Sequence, residues 1–289
     1  MFYNEMYKGG FMKCSKAIIP VAGYGTRRLP ITKTIEKCML PIGNRPLVDY
    51  VVQDCLAAGI SEIVFVVGED STQLEQYYRS NIKLNDYLRR NGKEDLLPLV
   101  APLSDVRLHF VTQPSYGKYG TAVPVALAAP YVEPGESVVV LMGDDFFYNQ
   151  DGSSEVKRLI EGTPEGGSAI LGAVLREDDE ITGRYGSVET DAHDNFVRVV
   201  EHPEQLPEVF VKNVSKYCLS YEMVKAVESY VDGASLDKGG EYYIFTPFEP
   251  LLAQGHVMKL VRAHGQYLDG GTVEGWLHAN NYVYNHHTS

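Results

Sequence analysis

Residues 16–30 read KAIIPVAGYGTRRLP. The first six are the expected first strand, and its apolar run AIIPV, residues 17–21, suits burial on both faces. A glycine-rich, basic loop follows, from Ala22 to about Pro41. Outward from this point the chain alternates in the same manner. Residues 47–58 place Leu47, Val48, Val51, Cys55 and Ala58 at helical spacing, and Gly59 closes that helix. EIVFVV at 62–67 is a second buried strand. Ser71 is the expected N-cap of a helix running to about Tyr78. Residues 81–97 are polar and weakly helical and read as an insertion or flap. A strand at 106–112 precedes a small-residue helix at 120–129, which tolerates Pro124 in its first turn. SVVVLM at 137–142 is the most hydrophobic strand and ends at Gly143-Asp144-Asp145. Strand–helix alternation of this kind predicts an α/β fold with a parallel, doubly wound sheet.

The second half changes character. Shorter strands are expected at 168–174, 186–189, 196–200 and 214–218, and helices at 221–231, 245–253 and 273–284. No internal repeat or low-complexity segment interrupts it. The expected organisation is an N-terminal extension (1–15) and one domain (16–289). That domain has a first lobe of about 16–145 and a β-richer lobe of about 146–289.

Composition narrows the partners. The chain has 289 residues, with 26 Lys+Arg against 38 Asp+Glu, a formal charge of −12. This acidic balance argues against nucleic acid or an anionic membrane as the main partner. Hydrophobic residues at 44% suffice for a sizeable core and argue against disorder. The four cysteines (14, 38, 55 and 218) form no C-x-x-C pair or zinc spacing, so a reducing, cytoplasmic setting is expected. No apolar run reaches the length of a membrane span. Residues 1–15 lack a signal-peptide core.

Three features carry chemistry. Gly23 and Gly25 follow the first strand, where backbone N–H groups can approach a phosphate. The loop lacks G-K-[ST] and the third glycine of the dinucleotide fingerprint, and by itself it reads first as a tight turn. Its surroundings add weight. From Lys16 to Lys37 there are five basic residues and one acid, a local reversal of sign in an acidic chain that suits a polyphosphate. Asp144, at the tip of the most hydrophobic strand, faces the same crevice as the loop, whereas Asp145 is expected to point elsewhere. Asp269 stands just ahead of the last helix. Each alone would pass for a turn residue. Two carboxylates with a basic glycine loop make a hard-metal and phosphate site.

Residues 23–41, GYGTRRLPITKTIEKCMLP, resemble the signature of the sugar-1-phosphate nucleotidyltransferases, in particular the branch of bacterial UTP–glucose-1-phosphate uridylyltransferases. That signature is G-x-G-T-R-x-L-P-x-T-K, a short gap, then K-x-M-L-P. The resemblance continues in register from about residue 16 to 285. It takes in PLVDYVVQDCLAAGISEIVFV, the loop 113–123, Gly143-Asp144, Tyr185-Gly186, Val200-Glu201-x-Pro203 and Leu268-Asp269-Gly270-Gly271.

The resemblance implies a Rossmann-like nucleotidyltransferase fold and the reaction of a nucleoside triphosphate with a sugar 1-phosphate, giving a nucleotide sugar and pyrophosphate. UTP and glucose 1-phosphate are the implied substrates. Use of dTTP or CTP, or a non-catalytic role as a sugar-nucleotide-binding module, are the alternatives. It further implies that Ala22, Gly23 and Gly25 approach the nucleotide, Arg27 holds the leaving pyrophosphate, and Lys37 neutralises the reacting phosphates. Gln113 and Gly120 would meet the base, Asp144 and Asp269 would hold Mg²⁺, and Gly186, Glu201 and His202 would form the sugar-phosphate side. A homo-oligomer is implied as well. The chain departs from the family pattern at several points. Glu36 stands where a proline precedes the lysine, Lys118 where glycine is usual, and His202 where lysine is expected to bind the sugar phosphate. Cys38, residues 241–243 and Pro247 also differ.

Overall fold

The computed structural model describes residues 14–174, 186–201, 203, 210–233 and 240–286. Residues 1–13 of the expected extension lie outside them. The first half contains β1 (Lys16–Pro20), β2 (Pro41–Ile42), β3 (Arg45–Pro46), α1 (Leu47–Ala57) and β4 (Glu62–Gly68). It continues with α2 (Gln73–Tyr78), α3 (Ile82–Arg90), β5 (Arg107–Gln113), α4 (Ala122–Ala128) and β6 (Ser137–Leu141). The second half contains β7 (Asp145–Tyr148), α5 (Glu155–Gly162), β8 (Ser168–Val174), β9 (Ser187–Thr190), β10 (Phe196–Val200) and β11 (Val211–Ser220). α6 (Tyr221–Asp232), α7 (Phe248–Leu252), β12 (Met258–Arg262), β13 (Gln266–Asp269) and α8 (Val273–His286) complete it.

Among the described residues nine strands form one sheet, with the path β10-β9-β11-β6-β1-β4-β5 and with β8 and β12 branching from β11. β6, β1, β4 and β5 are mutually parallel. β11 joins them antiparallel to β6 and carries the shorter strands of the second half. Alternate residues of β1 and β6 enter opposite cores. Ala17, Ile19, Val139 and Leu141 face the cluster covered by α1, α5 and α8, while Ile18, Val138 and Val140 face the one covered by α4 and α6. Burial on both faces explains why these strands read as unbroken apolar runs. Each fully buried Val, Ile or Leu contributes roughly 1.5–3 kcal/mol relative to exposure.

Local signals operate as expected at several ends. Gly59, at φ +84°, closes α1, with the Ile60 N–H donating to the Cys55 carbonyl at 3.0 Å. One reading needs correction. α2 begins one residue beyond the position expected from a Ser71 cap: Thr72 is its N-cap and makes no side-chain cap bond, because a distant carboxylate fills that role. The 81–97 segment contains a regular helix, α3, capped by the Asn81 side chain accepting the Leu84 N–H at 3.1 Å. Among the described residues no helix is long and apolar enough to cross a membrane.

Candidate active site

A cleft of about 760 Å³ opens at the carboxyl ends of β1, β4, β5 and β6, where ligands bind in open α/β sheets. The loop after β1 forms one wall, through Ala22, Gly23 and Gly25. Gly25 has φ +63°, and a Cβ there would lie 3.0 Å from both Lys37 Cβ and Thr32 Cγ2. The Thr32 hydroxyl donates to the Gly25 carbonyl at 2.8 Å. Glycine therefore lets the loop close directly onto the stem of Lys37.

Four of the expected charged residues meet here. The Lys37 ammonium pairs with Asp144 Oδ2. The Asp144 carbonyl accepts the Gly270 N–H at 3.1 Å, and the β7–β13 ladder sets Asp145 opposite Asp269. Asp144 and Asp269 thus sit on adjoining backbone segments although 125 residues separate them (269 − 144). Gly271 marks the point of convergence. A Cβ at this position would lie 2.8 Å from Asp269 Oδ1 and 3.6 Å from both Arg27 Nη2 and Lys37 Nζ. Burial works to raise the Asp144 carboxyl, but Lys37, Lys216 and Arg27 together outweigh it and hold the group below the ordinary carboxylate range. Asp144 is therefore ionised at neutral pH.

Among the described residues no three His, Cys, Asp or Glu side chains gather as a protein-only metal site. Two hard carboxylates beside a phosphate-sized cleft do fit Mg²⁺, which keeps waters and takes other ligands from substrate phosphates.

Asp145 points away from this cluster, as expected, and its partners were not foreseen. Its carboxylate is buried against the Lys216 ammonium and accepts the Tyr267 hydroxyl at 2.8 Å. Lys212 Nζ lies 4.0 Å from the centroid of the Tyr267 ring. Both lysines are 3% exposed. The available signal was two lysines in the otherwise apolar run VKNVSKYCLS, which is β11.

The expected base-edge residues line the other wall of the cleft. Gln113 ends β5, and Gly120 has φ +121°. A Cβ at Gly120 would fall 2.5 Å from the Tyr242 backbone nitrogen. The loop is pinned there: Tyr242 N–H donates to the Tyr119 carbonyl at 3.0 Å and Ala122 N–H to the Tyr242 carbonyl at 2.9 Å. Lys118 donates to the Val231 carbonyl and lies 5.7 Å from the Tyr242 ring centroid. The non-glycine residue at 118 is therefore a staple from this loop to the end of α6.

Gly186 and Glu201 also adjoin each other. A Cβ on Gly186 would lie 2.5 Å from Glu201 Oε1. The Gly186 carbonyl accepts the Asn213 N–H at 2.8 Å, next to Lys212. His202 lies outside the described residues.

The basic stretch divides. Arg27, Lys33 and Lys37 line the cleft. Lys16 turns away to pair with Glu136 at 2.6 Å. Arg28 is buried beneath Trp276, donating to the carbonyls of Gly270 (3.4 Å) and Thr272 (2.5 Å). It ties the glycine loop to the segment after Asp269.

The chain is similar to several known proteins. The UTP–glucose-1-phosphate uridylyltransferase 2 of Streptococcus pyogenes serotype M3 is 34% identical over 232 residues, covering 77% of this chain and 76% of that protein. A UDP-glucose pyrophosphorylase of Acinetobacter baumannii superposes with a TM-score of 0.81 at 25% identity, covering 93% of each chain. A UTP-bound structure from the same organism gives 0.80 at 25% identity and the same coverage. A family model described as nucleotidyl transferase matches residues 16–286, and the chain belongs to that family.

Proposed function

We propose that this protein transfers a uridylyl group from UTP to glucose 1-phosphate, releasing pyrophosphate and forming UDP-glucose. The observation that carries this reading is the meeting of Arg27, Lys37 and Asp269 around Gly271, beside Asp144 and the glycine loop. The relatives named for this activity, and the UTP-bound neighbour, support the choice of substrates.

In the reaction a phosphate oxygen of the sugar phosphate attacks the α-phosphorus of UTP, and the bond to the bridging oxygen of pyrophosphate breaks. The attacking phosphate is already ionised, so neither a protein nucleophile nor a strong base is required. The protein's contribution is alignment and neutralisation of charge. Ala22, Gly23 and Gly25 allow the triphosphate to lie against the backbone. Gln113 and Gly120 face the base. Arg27 offers its planar fork to the leaving pyrophosphate, and Lys37 bears on the phosphorus undergoing displacement. Gly186, Glu201 and His202 form the sugar-phosphate side. Asp144 and Asp269 would hold Mg²⁺, which when bound neutralises phosphate charge.

In this reading residues 16–145 are the nucleotide lobe and 146–289 the sugar lobe of one domain, following the extension 1–15. The protein works in the cytoplasm as a homo-oligomer on small-molecule substrates, with no nucleic-acid or membrane partner.

The test is incubation with Mg²⁺, glucose 1-phosphate and each of UTP, dTTP and CTP, following pyrophosphate release and nucleotide-sugar formation by chromatography. Equimolar UDP-glucose and pyrophosphate, with UTP preferred, is the expected result. No product with any triphosphate across a panel of hexose 1-phosphates would refute it.

A further inference from the structure

We propose that Glu36 is a positioning residue for Lys37, acting by capping the start of α2; the proposal rests on the reading of Lys37 given above. The Glu36 carboxylate accepts three hydrogen bonds: Ser71 Oγ at 2.7 Å, Thr72 N–H at 2.8 Å and Gln73 N–H at 2.7 Å. Gln73 answers in the opposite direction. Its Oε1 accepts the Glu36 N–H at 3.0 Å, and its Nε2 donates to the Thr34 carbonyl at 2.9 Å. These five bonds join residues 34–36 to residues 71–73.

The physical reason lies in α2. The first N–H groups of a helix have no partner within it, and Thr72, at the N-cap, supplies no side-chain acceptor. A carboxylate from the loop after β1 satisfies the Thr72 and Gln73 N–H groups and complements the positive end of the helix dipole. The acid is thereby occupied by backbone and hydroxyl donors, although Glu36 lines a cleft suited to phosphates.

The consequence falls on the next residue. Lysine is a flexible stem, and the reach of its ammonium depends on where its backbone is held. Behind Lys37, the Glu36 clasp fixes the chain to the start of α2. Ahead of it, Cys38 and Leu40 are buried in the body of the protein. Lys37 is held from both sides, with its stem against Gly25 and its ammonium on Asp144. Where the family pattern has a proline at 36, which restricts the chain by its ring, this chain restricts it with a hydrogen-bonded acid.

The experiment is a double-mutant cycle in the full-length enzyme, using Glu36→Ala, Lys37→Ala and the double variant, with Glu36→Gln as the conservative change. Steady-state kinetics are measured with UTP and glucose 1-phosphate. Glu36→Ala is expected to lower kcat 10- to 100-fold, with each KM changing less than threefold. Glu36→Gln, which retains an acceptor oxygen, should recover most of that loss. In the Lys37→Ala background, Glu36→Ala should cost less than twofold, because the residue it positions is gone. Amide hydrogen exchange supplies a readout independent of turnover: residues 36–39 should exchange at least tenfold faster in Glu36→Ala than in wild type. An active wild type with an unaltered kcat in Glu36→Ala, equal losses in both backgrounds, or unchanged exchange would each overturn the proposal. A wild type that forms no nucleotide sugar refutes the functional reading instead, and is recognised before any variant is compared.

Discussion

Replacing Lys216 with methionine isolates the buried charge behind the site. Lys216 and Asp145 form an ion pair whose side chains are 4% and 12% exposed, with Lys216 Nζ also 3.2 Å from the Asp145 carbonyl. Methionine fills much of the same volume but leaves the Asp145 carboxylate with the hydrogen bond from the Tyr267 hydroxyl in place of a cation. Breaking a buried pair from one side costs about 3–5 kcal/mol, because an uncompensated charge remains. Burial already pushes the Asp145 carboxyl above its ordinary value, and Lys216 is the main influence opposing that rise. A raised folded-state value means that this group's contribution to stability is fully present below the unfolded value of about 3.9 and is lost as pH climbs through the folded one. Removing Lys216 moves the folded value further up and enlarges the loss at neutral pH. Acidification returns the proton and part of the stability.

The assay is urea unfolding at pH 5 and pH 8, followed by far-UV circular dichroism and by the fluorescence of the single tryptophan, Trp276. Lys216→Met should lower the unfolding free energy by about 3–5 kcal/mol at pH 8 and by clearly less at pH 5, with little change in slope. Adding Asp145→Asn removes the stranded charge and should restore most of the loss at pH 8, since replacing both partners of a buried pair is often near neutral. The reasoning fails if the loss at pH 8 is below about 1 kcal/mol, if it is equal at the two pH values, or if the double variant is no better than the single.

Two further changes probe the cleft. Asp144→Asn should cut turnover at saturating Mg²⁺ by about 100-fold or more, roughly the scale of one lost electrostatic contact in a phosphoryl site, while the thermal midpoint shifts by only a few degrees; near-normal turnover would remove Asp144 from the site. Gly120→Ala places a Cβ against the Tyr242 backbone at a positive φ, and should cost about 1–3 kcal/mol in urea unfolding and raise the KM for UTP more than that for glucose 1-phosphate; an unchanged UTP KM would separate this loop from base recognition.

What the sequence disclosed follows from how local each feature is. β1, β4 and β6 are buried on both faces and so appear as apolar runs. The glycine loop and the basic residues beside it lie within one short stretch, so Gly23, Gly25, Arg27 and Lys37 could be named without a structure. Asp144 and Asp269 could be grouped by their chemistry, but the contact that brings them together could not be read, because β7 and β13 are strands of four residues each, too short to show a period. α5 was missed for a similar reason. It has eight residues, and its clearest mark is the Ser154 hydroxyl accepting the Lys157 N–H at 2.9 Å. Lys212 and Lys216 stood visible in an apolar strand, but their direction depends on register. β11 is irregular between Asn213 and Lys216, which sets Lys212 opposite Ala173 and Lys216 opposite Leu171. Ala173 and Leu171 belong to the same core cluster as Phe146 and Leu268, so both lysines reach the β7–β13 side. Glu36 is the extreme case. In sequence it was an acid in a basic loop and an exception to a pattern. Its partners lie more than 30 residues away, at the start of a helix whose own N-cap side chain fails to bond. An acid that belongs to another helix's cap can be recognised only when that helix is in view, and so the departures from a family signature are where a structure adds most to it.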